Sequence, residues 1–214
     1  MFLTKDNQIK WKKMGVAASI TFVLVLLGIF WFDKPLFTFI RGFDCKLWRL
    51  FDVFFSAKMW FIVSFIAAAL LCVKKYLKSE ISGIRDLFVK TKSSHAFLIF
   101  CSVFCACGVV ALLKPLIARL RPVLEVTQQI PEFNRFSWNW NSMPSGHTTV
   151  SFAGLVMIGM LAPRFKPLTW TLAILIGASR VIEGDHYLSD VILGAFIGML
   201  VADVVKWWWL RKSK

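Results

Sequence analysis

Apolar residues fall in long blocks along this chain, and those blocks define its organisation. Five can be read directly: Met14–Phe32, Met59–Val73, Ala96–Leu113, Thr148–Ala162 and Leu188–Leu210. A sixth, Pro167–Ile182, is shorter and carries Arg180 near its end. A helix needs about 20 mostly apolar residues to cross a bilayer, so Met59–Val73 and Thr148–Ala162 must borrow flanking positions. The pattern predicts an all-α, polytopic membrane protein. Six transmembrane helices are expected in a single domain covering residues 1–214, with no internal repeat.

Composition supports that reading: 57% of residues are hydrophobic and 15% aromatic, and the mean hydropathy is +0.65. Soluble domains are less apolar than this. The formal net charge of +14 raises nucleic acid as a partner, but the distribution of charge excludes it. Lys5, Lys10, Lys12 and Lys13 precede the first block, and Lys74, Lys75, Lys78, Arg85, Lys90 and Lys92 follow the second. Arg164 and Lys166 separate the fourth block from the sixth, and Lys206, Arg211, Lys212 and Lys214 close the chain. With six spans these positions share one side, which the positive-inside rule makes cytoplasmic, along with both termini. Lys114, Arg121 and Arg180 then face outward. The basic, apolar N-terminus is read as an uncleaved first helix, since its apolar run is long for a signal peptide and no A-x-A-like site follows.

The connectors are less informative. Asp33–Lys58 repeats apolar residues every three or four positions (Phe37, Ile40, Phe43, Leu47, Leu50, Phe54) beside Lys34, Arg41, Lys46 and Arg49. That is the pattern of an amphipathic connector at the outer interface, or of a ramp admitting lipid. Ser79–Ser94 is a polar, basic inner loop suited to anionic headgroups. Val123–Met143 carries Phe133, Phe136, Trp138 and Trp140, which serve as interface anchors or read a substrate headgroup. Trp207–Trp209 form an inner aromatic belt. Cys72, Cys101, Cys105 and Cys107 lie within the expected spans and Cys45 in an outer loop, so neither a disulfide framework nor a metal cluster is indicated.

Chemistry gathers in three stretches: Lys114 to Pro122, Pro144 to His147, and Ser179 to Asp190. His186 and Asp190 are four apart where the last span begins, so a helix would place them on one face. A carboxylate accepting a proton from one imidazole nitrogen leaves the other free to attack. A helix-start hydrogen bond accounts for the same pair. Ser145 and Gly146 stand before an apolar run, where backbone N–H groups and the helix dipole favour an anion; an N-cap turn is the bland alternative. Lys114 and Arg121 are seven apart, so a continuous helix would align them, although Pro115 complicates it and Pro122 should end it. Snorkelling to the headgroups would explain those two cations. Arg180, inside an apolar run, is costly unless paired or solvated, and a phosphate shared with Lys114 and Arg121 would account for it.

In their order, Lys-x6-Arg-Pro, Pro-Ser-Gly-His and Ser-Arg-x5-His-x3-Asp, the three stretches resemble the type 2 phosphatidic acid phosphatase (PAP2) superfamily. Lys114, Arg121, Pro122, Pro144, Ser145, Gly146, His147, Ser179, Arg180, His186 and Asp190 fill its defining positions, and Gly184 also fits. The resemblance covers about residues 96–210, taken as the catalytic part, and implies a PAP2-type helical bundle core. It implies His186 as nucleophile, forming a phosphohistidine, with Asp190 orienting it. His147 would protonate the leaving oxygen and then activate water. Lys114, Arg121, Ser145, Gly146 and Arg180 would hold the phosphate. No metal or other cofactor is implied, and His95 takes no part.

The resemblance points to the membrane lipid phosphatase branch, at the outer face of a bacterial inner membrane. The substrate would be a lipid phosphate in the bilayer: lipid A 1-phosphate, undecaprenyl diphosphate, phosphatidylglycerol phosphate or phosphatidic acid. Gly-Asp-His-Tyr-Leu-Ser-Asp (184–190) resembles the lipid A 1-phosphatase members. A lipid-to-lipid phosphotransferase would use the same residues. The related vanadium haloperoxidases are soluble, unlike this chain. A transporter of anionic substrates would place its charges near midplane at broken helices, whereas here they gather at one face.

Overall fold

The computed structural model describes residues 2–3, 8–40, 48, 53, 55–76 and 93–212. Cys45, most of the connector after Ile40, and the Ser79–Ser94 loop up to residue 92 lie outside the described residues. Helix α1 (Trp11–Leu27) passes through a π-helical turn, Gly28–Phe32, into α2 (Asp33–Ile40). Next come α3 (Ala57–Tyr76), α4 (Ser93–Ile117), the short α5 (Pro122–Val126), α6 (Gly146–Leu161), α7 (Lys166–Ile182) and α8 (Leu188–Lys212). An isolated bridge between Leu3 and Ile9 is the only β pairing among the described residues.

The architecture is all-α, as expected for a membrane protein. Four stretches are long and apolar enough to cross a bilayer: Trp11–Ile40, His95–Val126, Pro163–Ile182 and Leu188–Arg211. The apolar helices Lys58–Ala67 and Gly146–Leu161 are shorter. Each expected span thus has a helix, but length alone supports four crossings.

The short helix α6 is the hub. It packs on α8, α7, α4 and α3, and from Thr148 to Met157 it is buried at every position. A helix apolar all round belongs in the middle of a bundle, so α6 needs no lipid-facing length of its own. Its core partners include Leu98 on α4, Ala173 and Ile176 on α7, and Ala202 on α8, against Phe152, Leu155, Val156 and Met157. Ser102 donates to the Ala153 carbonyl at 3.0 Å. Outside this core, α1 exposes Val16, Ile20, Phe22 and Val23, and α4 exposes Phe104 and Leu112. In water such surface would be a liability; in hydrocarbon it is the expected exterior.

Helices α6 and α8 approach each other closely. A Cβ on Gly198 would lie 2.4 Å from the Thr149 carbonyl oxygen and 2.7 Å from Phe152 Cβ; one on Gly194 would lie 2.9 Å from the Ser145 carbonyl oxygen. Two glycines four apart thus let the backbones meet, a device suited to membranes, where dispersion between close backbones drives association. Because α4, α6, α7 and α8 alternate in direction, the end of α4, the start of α6, the end of α7 and the start of α8 fall on one face. The Gly198→Ala variant is expected to lose about 1–3 kcal/mol of stability through overpacking. A fall in its thermal transition in detergent is the measurement.

Candidate active site

Lys114 closes α4, which runs through Pro115 and stops at Ile117. Ala118 turns the chain with φ of 47°. Arg121 is extended and precedes α5, whose first residue is Pro122. Pro122 therefore starts a helix and does not end one, because a missing N–H costs nothing at the first helical position. Lys114 and Arg121 consequently do not align along one helix; the turn at Ala118 brings Arg121 back.

The aromatic loop is strapped to this segment. Arg121 N donates to Asn139 O and Ser142 N to Arg119 O, both at 3.0 Å. The Arg121 guanidinium donates from Nε to Trp138 O at 2.9 Å and lies 3.8 Å from a Trp138 ring centroid. Lys114 Nζ donates to Asn141 O. The loop thus presents Trp138 to the site on one side while leaving it, like Phe133 and Phe136, exposed on the other.

Ser145 occupies the N-cap position of α6, but its side chain makes no capping hydrogen bond to the backbone. Its Oγ accepts from Thr148 Oγ1 at 2.9 Å, and its N–H donates to the Asp190 carbonyl at 3.1 Å. After α7, the chain turns back at Gly184, whose φ of +84° suits glycine. The turn brings His186 N onto Arg180 O at 3.3 Å. Arg180, 2% exposed, pairs with Glu183 and Asp185, and Arg121 Nη1 stands 3.6 Å from Asp185 Oδ1. Glu183 and Asp185 thus supply the buried Arg180 with counter-charge within the chain itself.

Lys114, Arg121, Gly146, His147, Arg180 and His186 line one cavity of about 340 Å³. Trp138 also lines it, and its remaining wall is Cys107, Val110, Ala111 and Val150, so cationic residues meet an apolar side. Ser145 and Asp190 are fully buried and lie outside that lining. His186 is 1% exposed. Burial, together with the Arg121 and Lys114 charges, pushes its pKa down to about 4 against the opposing pull of Asp190.

The His186–Asp190 pair differs from the sequence expectation. His186 precedes the first residue of α8, so the two do not share a helical face. Nδ1 lies 3.8 Å from Asp190 Oδ2, beyond hydrogen-bonding range. Asp190 instead accepts from Ser142 Oγ at 2.6 Å, from Tyr187 N at 2.9 Å and from Arg119 Nη1 at 2.7 Å. The Tyr187 contact is half of a capping box, with an acid at the third helical position reaching back to the N-cap amide. Sequence reasoning missed Arg119, Ser142 and Tyr187 as neighbours of the site. The one available signal was Arg119's position between the two motif cations.

The profile of the PAP2 superfamily matches residues 93–214, more than half of the chain. A "Lipid A 1-phosphatase" of Rhizobium johnstonii (strain DSM 114642 / LMG 32736 / 3841) is 29% identical over 216 residues, covering 88% of this chain and 82% of that protein. A "Lipid A 1-phosphatase" of Rhizobium etli (strain ATCC 51251 / DSM 11541 / JCM 21823 / NBRC 15573 / CFN 42) is 34% identical over 127 residues, covering 58% of this chain and 53% of that protein. Among solved structures, the crystal structure of Aquifex aeolicus LpxE superposes with a TM-score of 0.55 at 21% identity, over 84% of this chain and 98% of that one. That likeness is one of fold.

The Gly184→Ala variant is expected to cost about 1–2 kcal/mol, the penalty of a side chain in left-handed backbone. Its Cβ would also meet the Phe37 ring at 3.4 Å. The measurement is the shift in thermal transition.

Proposed function

The chain belongs to the PAP2 superfamily, and on that premise we propose that it is a lipid phosphatase acting on the 1-phosphate of lipid A through a phosphohistidine at His186. The single observation that carries the chemistry is the convergence of two histidines and three cations on one cavity. The choice of lipid A rests on the similarity to the two rhizobial proteins. The apolar wall formed by Cys107, Val110, Ala111 and Val150 suits a substrate whose phosphate is attached to a lipid.

In the proposed reaction, the Nε2 lone pair of neutral His186 forms the N–P bond as the P–O bond to the lipid breaks. Burial and the neighbouring charges, Arg180 foremost, lower the His147 pKa to about 3 in the free protein. A bound phosphate offsets those charges, so that His147 takes up the proton it then gives to the departing oxygen. Water then attacks phosphorus, His147 takes the water proton, and the N–P bond breaks to release inorganic phosphate. Lys114, Arg121 and Arg180, with the Gly146 amide, offset charge on the equatorial oxygens as it spreads in the transition state. Asp190 supports the positive charge that imidazole acquires on phosphorylation. The site faces outward from a bacterial inner membrane, with both termini cytoplasmic. Arg164, Lys166, Arg211 and Lys212 at the opposite end of the bundle support that orientation.

The test is phosphate release by the detergent-solubilised protein, with EDTA present, from lipid A, undecaprenyl diphosphate, phosphatidylglycerol phosphate and phosphatidic acid. Release from lipid A, lost in His186→Ala, is the expected result. Full turnover in that variant would sink the mechanism, and release from another lipid alone would overturn the substrate.

The pH dependence has a definite sign. His186 must be neutral to attack, and its free-enzyme pKa near 4 places the acid limb of kcat/KM well below the ordinary histidine range. A bound phosphate neutralises the cations that depress this pKa, so it rises in the complex. The acid limb of kcat is therefore expected at higher pH than that of kcat/KM, since the two report bound and free enzyme. Coincident limbs near pH 6.5 in both profiles would contradict this.

A further inference from the structure

One cluster beside the cavity is not used by the reaction above, and part of it lies outside the family-matched residues. Asp33 begins α2, is 2% exposed, and follows the π-helical turn Gly28–Phe32. Its Oδ2 accepts from Arg119 Nη2 at 2.7 Å and from Ser189 Oγ, and its Oδ1 from Ser189 N at 3.1 Å. Arg119 Nη1 reaches the other way, to Asp190 Oδ1 at 2.7 Å and Ser189 Oγ at 2.6 Å. The guanidinium also lies 4.4 Å from the Tyr187 ring centroid. A Cβ on Gly28 would stand 2.7 Å from Ser189 Cβ, so the first helix meets α8 only because glycine is there. π-turns inside helices recur at functional sites, and this one sets Asp33 against the start of α8.

We infer that Asp33 and Arg119 are positioning residues for the phosphatase reaction, acting through Asp190 on His186; this rests on the proposed role of His186. Two arguments support it. First, geometry: Arg119 and Ser142 grip different oxygens of Asp190, and with the Tyr187 amide they fix the plane of a fully buried carboxylate beside the imidazole. Second, charge: one guanidinium shared between two carboxylates leaves the trio with one net negative charge. That charge is available to the imidazolium-like phosphohistidine. Arg119 paired with Asp190 alone would cancel it.

The two carboxylates therefore have opposed effects on Arg119, and the variants separate them. Asp33→Asn leaves Arg119 neutralising Asp190, whereas Arg119→Met leaves Asp190 charged but less constrained. Arg119→Lys keeps the charge and loses one arm of the fork.

The experiment measures kcat and KM for Asp33→Asn, Arg119→Met, Arg119→Lys and the Asp33→Asn/Arg119→Met double variant. Each is run on lipid A and on para-nitrophenyl phosphate, with competitive inhibition by inorganic phosphate and the thermal transition as companions. Asp33→Asn is expected to lower kcat by roughly 10–100-fold, the scale of losing a hydrogen-bond partner that orients a metal-ligating side chain, taken here for a carboxylate that orients a histidine. KM and phosphate inhibition should stay within about twofold, because the cavity cations are untouched. Arg119→Lys should recover part of the kcat lost in Arg119→Met. The double variant should be no worse than the worse single, since both act on one carboxylate.

Unchanged kcat in Asp33→Asn overturns the inference. So do losses that multiply in the double variant, or losses that track weakened phosphate inhibition. If Arg119→Met does not fold, Asp33→Asn and Arg119→Lys decide the matter alone. The soluble substrate separates the two levels: turnover of para-nitrophenyl phosphate without turnover of lipid A rejects the lipid assignment and leaves the positioning test intact. Wild-type turnover of neither rejects both.

Discussion

A carboxylate with no accessible surface, Asp190, stands where an apolar helix begins, and the surrounding structure is arranged to supply it with donors. An isolated buried carboxylate would take up a proton before remaining ionised there. Its charge is kept by the Arg119 guanidinium, the Ser142 hydroxyl and the Tyr187 amide. Those donors come from the segment after α4, the strapped aromatic loop and the turn before α8. The Asp190 carbonyl in turn accepts from Ser145, drawing in the start of α6. One residue thus ties together all three chemistry-bearing stretches, which are far apart in sequence.

That arrangement depends on the bundle placing four helix ends on one face. Helix ends carry the unpaired N–H and C=O groups of the fold, and in a membrane protein they emerge where water and headgroups begin. A phosphate needs cations and N–H donors, whereas the lipid attached to it needs hydrocarbon. A cavity lined by Lys114, Arg121 and Arg180 as well as by Val110, Ala111 and Val150 meets both demands. The glycine contact between α6 and α8 sets how near the Ser145 turn comes to Asp190.

Much of this was legible in the sequence because both signals are strong. Long apolar blocks announce helices, and an arginine inside such a block demands a partner. Lys114, Arg121, Gly146, His147, Arg180 and His186 do share one cavity. What was not legible concerns direction and third parties. A seven-residue spacing says two cations align only if the helix continues, and the break at Ala118 ends it. A four-residue spacing sets His186 and Asp190 on one face only inside a helix; His186 lies before one, and the turn, not a helical face, brings its Nδ1 to 3.8 Å from Asp190 Oδ2. Asp33 is more than 150 positions from Asp190, and no local pattern links them. A shared arginine 86 residues from Asp33 does so only in three dimensions. Arg180 pairs with two acids close by in the chain, Glu183 and Asp185.

Those acids bear on how such a site can turn over. A buried guanidinium without a counter-charge is strongly destabilising, so Glu183 and Asp185 let the cradle fold before substrate arrives. In the proposed reaction an incoming phosphate must then exchange with Asp185 at both Arg180 and Arg121; it does not meet bare cations. The ground state is consequently bound only by the difference between two anions. A transition state spreads charge over three equatorial oxygens, in a geometry that one carboxylate cannot reproduce, so the cations favour it over both. Interactions stronger in the transition state than in the bound substrate are the ones that raise kcat. The same exchange lets Asp185 compete with product phosphate after hydrolysis. Internal ion pairing at Arg180 therefore permits its burial and, in the proposed reaction, limits how tightly substrate and product are held.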